Sequence, residues 1–182
     1  QLVYAGSLGN NKWLSLVDST LNGGFPCATG TVAAATADST HSGPLRAGAS
    51  DKTVTVDTTS LSTSKTFAVC YTDALGTTSG TWIDAGIRLT VAKITSLQYG
   101  SPARTVTSTN VAAAINRLPQ AANMVLTYVG DLANAKWASL VDSTLNGNDP
   151  CASDTAPGVV AAAAAGSTQS GPAAAASGTK VV

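Results

Sequence analysis

Residues 2–27 read LVYAGSLGNNKWLSLVDSTLNGGFPC, and residues 126–151 read LTYVGDLANAKWASLVDSTLNGNDPC. Aligned without a gap, 18 of the 26 positions are identical, and the run from Ser15 to Gly23 recurs unchanged from Ser139 to Gly147. The offset of 124 residues is too long for a solenoid unit and suits one small domain. The chain therefore reads as a stretch of a tandem array. A first repeat is expected over 1–98, and a second, lacking its last strands, over 99–182.

Working outward, the period of the repeated stretch points to strands. Leu2, Tyr4, Gly6 and Leu8 alternate with period two. Gly9-Asn10-Asn11 is a turn cluster. Lys12–Asp18 reads as a strand, although Trp13, Leu16, Val17 and Leu21 also share a helical face, with Asn11 as cap and Gly23 as stop. Asn22-Gly23-Gly24-Phe25-Pro26 is a tight turn that delivers Cys27. Residues 28–50 are small and weakly patterned with Gly43-Pro44 among them, and 152–171, which corresponds to 28–43 up to the shared Gly-Pro, is about four residues longer, as a surface loop tolerates. Its alanine run is compatible with a short helix or a flat strand. Asp51–Val56 alternates as a strand, and a turn carrying Leu61 leads to a strand over Thr66–Tyr71. Its inward set is either Phe67, Val69 and Tyr71 or the complementary Ala68 and Cys70. Asp73–Gly80 is a hairpin loop, and Thr81–Ile94 a long strand bulged near Gly86. Residues 96–100 and 104–107 are two further candidate strands, and 112–119 a short helical turn or strand stopped by Pro119.

Strand, leucine-bearing turn, strand ending in Cys70-Tyr71, glycine-containing hairpin and long closing strand together resemble the second half of an immunoglobulin-like or fibronectin-III-like domain. The stretch from Leu61 to Tyr71 is similar to the corner between the fifth and sixth strands of that family. The resemblance spans roughly residues 1–98 and implies an all-β fold, an immunoglobulin-like Greek-key β-sandwich. It implies no particular ligand. The segments KWxSLVDSTLNG…PC and FAVCYTDALGTTSGTW…GIRLTV also look like repeat units of very large surface or filament proteins of microbes and algae.

Composition narrows the function classes. Ten Lys and Arg balance ten Asp, and Glu is absent. A neutral chain with 11% charged residues has no electrostatic footprint for nucleic acid or an anionic membrane surface. No run of about 18 apolar residues is present to span a membrane. Much of the 44% apolar share is alanine, so the core is thin and needs a further stabiliser. Cys27 and Cys151 occupy matching places, and Cys27 and Cys70 are the expected intradomain disulfide, which implies an oxidising, extracellular or cell-surface setting. Cys151 is then unpaired or intermolecular, because its partner would fall near position 198. No Asn-X-Ser/Thr sequon occurs, so any glycan would be O-linked.

Sequence signals for catalysis are weak. His41 is the single histidine, and its counterpart is Gln169. No GxSxG, paired glutamates or phosphate loop occurs. Neither an enzyme nor a cofactor or metal site is expected. Asp18/Asn22 and Asp142/Asn146 recur beside turns and read as caps rather than as calcium ligands. Trp13, Trp82, Trp137 and Tyr71 read as core aromatics around the disulfide, with sugar stacking as the alternative for the tryptophans.

A sandwich short of two strands exposes sheet edges and an apolar groove, to be completed either by a neighbouring chain or by a missing segment of a longer array, and both lead to a linear assembly. The expected role is therefore a structural subunit of an extracellular filament. It would polymerise with copies of itself, head to tail, through shared edge strands near 2–8, 95–107 and 179–182. The competing reading is a surface adhesin module that binds glycans.

Overall fold

The computed structural model describes residues 1–107, 117–148, 150–151 and 161–182. The chain is built mostly of strands in several antiparallel sheets, with short helical turns between them. It divides into two compact units, Gln1–Ala92 and Lys93–Val182. The division precedes the expected 98/99 boundary because Ile94–Tyr99 pairs with a strand of the second unit.

Unit 1 contains, in order, β1 (Leu2–Val3), β2 (Trp13–Asp18), α1 (Leu21–Gly24), α2 (Gly30–Ala33), β3 (Leu45–Arg46), β4 (Thr53–Val54), β5 (Thr66–Thr72) and β6 (Ile83–Thr90). A four-stranded sheet runs β3-β2-β5-β6, and β1 pairs with β4. β2 and β5 are matched over six residues, from Trp13↔Thr72 to Asp18↔Phe67. The turn after β2 places Asn22 and Gly23 at φ of 52° and 68°, the left-handed region that Asn and Gly tolerate.

The two central strands of this sheet, β2 and β5, are buried on both faces. Leu14 and Leu16 of β2 join Phe67 and Val69 of β5, Leu61 and Val54 of β4 in one core. Val17, Ala68 and Cys70 face the other way, onto Cys27, Ala33 and Trp82. Both candidate inward sets of β5 are therefore inward. A strand covered on two sides shows no apolar–polar alternation, which is why β2 also resembles a helical face. Each fully buried Leu, Val or Phe contributes about 1.5–3 kcal/mol.

β6 bulges where its register to β5 shifts between Ala68 and Cys70. Gly86 sits there at φ 73°. The segment ends at Thr90 instead of running unbroken to Ile94.

Unit 2 contains β7 (Ile94–Tyr99), β8 (Arg104–Thr107), β9 (Leu126–Gly130), β10 (Trp137–Ala138), α3 (Leu145–Asn148) and β11 (Ala173–Ala174). One sheet runs β8-β7-β9, and β10 pairs with β11. The expectation for residues 112–119 falls partly outside the described residues, as does that for the alanine-rich loop after Cys151.

The repeated sequence makes repeated contacts. Tyr4 donates its hydroxyl to the Gly9 carbonyl and Tyr128 to that of Ala133, at 2.6 and 2.7 Å. The Tyr4 N–H donates to the Lys52 carbonyl, and the Tyr128 N–H to that of Lys180. Lys52 and Lys180 reach the carbonyls of Gly6 and Gly130.

Candidate assembly interface

In each unit, the strand that opens with the repeated tryptophan has one edge closed in the same way. The Leu16 N–H donates to Ser42 Oγ at 2.8 Å, and the Leu140 N–H to Ser170 Oγ at 2.9 Å. The Ser42 and Ser170 N–H groups return bonds to the carbonyls of Leu16 and Leu140. The Asp18 and Asp142 N–H groups reach the carbonyls of Thr40 and Thr168. The bridges Val17↔His41 and Val141↔Gln169 complete the match.

The opposite edges differ. In unit 1 that edge carries all of β5. In unit 2, among the described residues, no strand lies against it. Of the sixteen buried apolar residues among those described, only Tyr128 and Ala175 belong to unit 2. Leu16 is 1% exposed, whereas its counterpart Leu140 is 43% exposed.

Beneath the bare edge lies a groove of about 660 Å³, lined by Ile94, Leu97, Leu126, Ala138, Leu140 and Val182 among others. Ala138, Leu140 and Val182 match Leu14, Leu16 and Val54, which in unit 1 pack against Leu61, Phe67 and Val69. The groove is thus the place that β5 side chains fill in the other unit. A bare strand edge over an apolar trough is a template for strand addition.

Cys27 and Cys70 form a disulfide with a Cα–Cα distance of 5.4 Å. It ties the turn after β2 to β5. Cys151 is free and exposed. Trp82 is buried and donates its indole N–H to the Thr77 carbonyl at 3.1 Å. Trp13 is half-buried beneath the Arg46 guanidinium, and a Cβ at Gly76 in the β5–β6 loop would run into its ring. Tyr71 is half-buried against the Leu14/Phe67 core. Trp137 is not a core aromatic: it is 65% exposed. The loop that covers Trp13 follows β5, and no described residue covers Trp137 in that way.

The recurrent aspartates cap turns. Asp18 accepts from the N–H and hydroxyl of Thr20, and Asp142 from those of Thr144. Burial pushes the Asp18 carboxyl up, but bonds from Lys65 and Thr20 outweigh it and hold it below its ordinary value. The Thr144 N–H and hydroxyl lower Asp142. No cluster of three or more His, Cys or Asp side chains suited to a metal occurs among the described residues. His41 touches Asp38 and Thr40 through the same atom, Nδ1. An acid–base relay needs the two ring nitrogens facing different partners. The Asp38 carboxyl is lowered to about 2, chiefly by the Thr40 N–H against its partial burial.

Sequence reasoning did not single out the serines. Ser15 donates from its buried hydroxyl to the Ala33 carbonyl at 2.5 Å. Its counterpart, Ser139, has a buried hydroxyl oxygen with no partner among the described residues. The signal was their place inside the unchanged nine-residue run.

No helix among the described residues is long and apolar enough to cross a membrane. Comparisons with protein-family models, with curated proteins and with solved structures find no match.

Proposed function

We propose that this chain is a structural subunit of an extracellular filament, made of immunoglobulin-like Greek-key modules that join head to tail through shared β-strands. The observation that supports it most is the bare edge of Trp137–Asp142 above an apolar groove, where the same sequence in unit 1 carries β5. The incompleteness is reciprocal. Unit 2 has β7 and β8 beside β9, whereas the corresponding edge of β1 is uncovered and Val3 is 75% exposed. Unit 1 also has a groove of about 590 Å³, lined by Tyr4, Leu8, Tyr71, Ile83 and Ile87 among others. Each unit therefore leaves one strand edge open to a neighbouring module. Contacts of this kind, repeated from chain to chain without closing, build a linear polymer. The Cys27–Cys70 bond fits an oxidising location.

Electron microscopy of the purified, non-reduced chain tests the reading. Extended particles that form without added sugar are expected. Monodisperse compact monomers retaining a free Cys151 thiol would overturn it. Exposed Trp137 favours the second reading, a glycan-binding module. That reading requires depletion on a glycan column and loss of retention in Trp137→Ala.

A further inference from the structure

We infer that the groove of unit 2 receives a β-hairpin with the chemistry of residues 65–90, carried by polypeptide other than these 182 residues, and that its cysteine bonds to Cys151. The inference rests on the strand-sharing reading and names the occupant of its joint.

Unit 1 supplies the register. In β5, Phe67 lies opposite Asp18, Val69 opposite Leu16, Cys70 opposite Ser15 and Tyr71 opposite Leu14. Transferred to the identical run, the donor strand lies antiparallel to β10. Its Phe is opposite Asp142, its Val opposite Leu140, its Cys opposite Ser139 and its Tyr opposite Ala138. The Phe and Val enter the groove, as Phe67 and Val69 enter the core of unit 1. The donor cysteine then faces Cys151, which follows a proline as Cys27 does.

Three further positions follow from contacts on β5. A lysine five residues before the donor cysteine reaches Asp142, as Lys65 reaches Asp18. A residue six beyond it is glycine, because the loop passes against Trp137 as Gly76 passes against Trp13. A tryptophan twelve beyond it takes the place of Trp82, which packs beside the disulfide.

The donor is not the matching hairpin of a second copy. In each copy that segment already fills its own unit 1, and removing it would strip Leu14, Leu16 and the Cys27–Cys70 bond. These 182 residues hold one such hairpin and two places for it.

The bond forms by thiol–disulfide exchange with oxidised glutathione as the oxidant. The donor cysteine enters as its mixed disulfide with glutathione. The Cys151 thiolate attacks the donor sulfur, the donor-Cys151 bond forms, and glutathione leaves as a thiolate that takes up a proton.

The test uses the full chain and a synthetic peptide of residues 61–91 carrying Cys70 as the glutathione mixed disulfide. Non-reducing peptide mapping is expected to find the peptide on Cys151, and amides of 137–142 to gain protection from hydrogen exchange. A Phe67→Asp/Val69→Asp peptide keeps the cysteine but cannot fill the groove. It should couple at least about tenfold more slowly. A Cys70→Ser peptide should still protect 137–142 without coupling, as should the parent peptide added to Cys151→Ser chain. Equal coupling rates for the parent and double-Asp peptides, or no protection by the serine peptide, would overturn the inference. So would a bond between Cys151 and Cys70 of another copy with Cys27 left free. Filaments that form while the peptide neither binds nor competes would sink the inference and leave the filament reading standing. Peptide docking onto a chain that never assembles would do the reverse.

Discussion

Ser15–Gly23 and Ser139–Gly147 are the same nine residues in two surroundings. In unit 1 the strand is enclosed by β3, β5 and two apolar clusters. In unit 2 its counterpart keeps the hydrogen bonds to the Ser170 side and, among the described residues, has no partner strand on the other. The difference separates what the repeat specifies by itself from what it needs. Turn capping, the serine clasp and the tyrosine bond form in both units, because their partners lie within the repeated stretch or its loop. Burial of Leu16, anchoring of Trp13 and the disulfide occur only where β5 is present.

Removal of the disulfide is expected to cost most and to narrow the contrast most. It closes a separation of 43 residues, for which the chain-entropy relation gives about 4 kcal/mol. Cys27→Ser/Cys70→Ser should lower the stability of unit 1 by that order in guanidinium titrations read by hydrogen exchange. Unit 2 amides should be unmoved, and Cys151→Ser should leave both units of the isolated chain unchanged.

Truncation of the paired leucines sharpens the comparison. Leu16→Ala opens a cavity in a packed core and should cost about 3 kcal/mol. Leu140→Ala removes a side chain from a half-open groove and should cost less than about 1 kcal/mol. Titrations on both variants decide it, and equal losses would mean that unit 2 is packed like unit 1. In assembled material the cost of Leu140→Ala should rise toward that of Leu16→Ala.

Acid should separate the units by a smaller margin. The Asp18 carboxyl is lowered in the folded chain, so its contribution is present above the unfolded value. It is lost as pH falls from about 4 through the folded value. Asp142 lies exposed with bonds from Thr144 but none from a lysine counterpart of Lys65. Amides of β2 should therefore lose protection in acid, and Asp18→Asn should flatten that dependence.

Much of this architecture was legible in the chain. β2, β5, β7 and β8 lie where strands were expected, and the matching places of Cys27 and Cys151 pointed to the Cys27–Cys70 disulfide. The inward face of β5 was not legible, since period-two reasoning assumes one wet face and both are buried. β1 and β4 are shorter than their alternating sequences suggest, because each pairs over only two residues. Trp137 misled for a related reason. Its identity with Trp13 fixes what it can pack against, not whether that neighbour is there. The groove was foreshadowed by the missing counterpart of Phe67–Ile94, but its walls from β7 and Met124 were not.

The most direct measurement is hydrogen exchange of the Trp137–Asp142 peptide in material isolated without reduction. The peptide differs in mass from Trp13–Asp18 through Ala138 in place of Leu14, so both can be followed in one digest. Strand sharing requires the two to be protected to a similar degree, with Cys151 in a disulfide. Rapid exchange at Trp137–Asp142 beside a protected Trp13–Asp18, with Cys151 a free thiol, would contradict it.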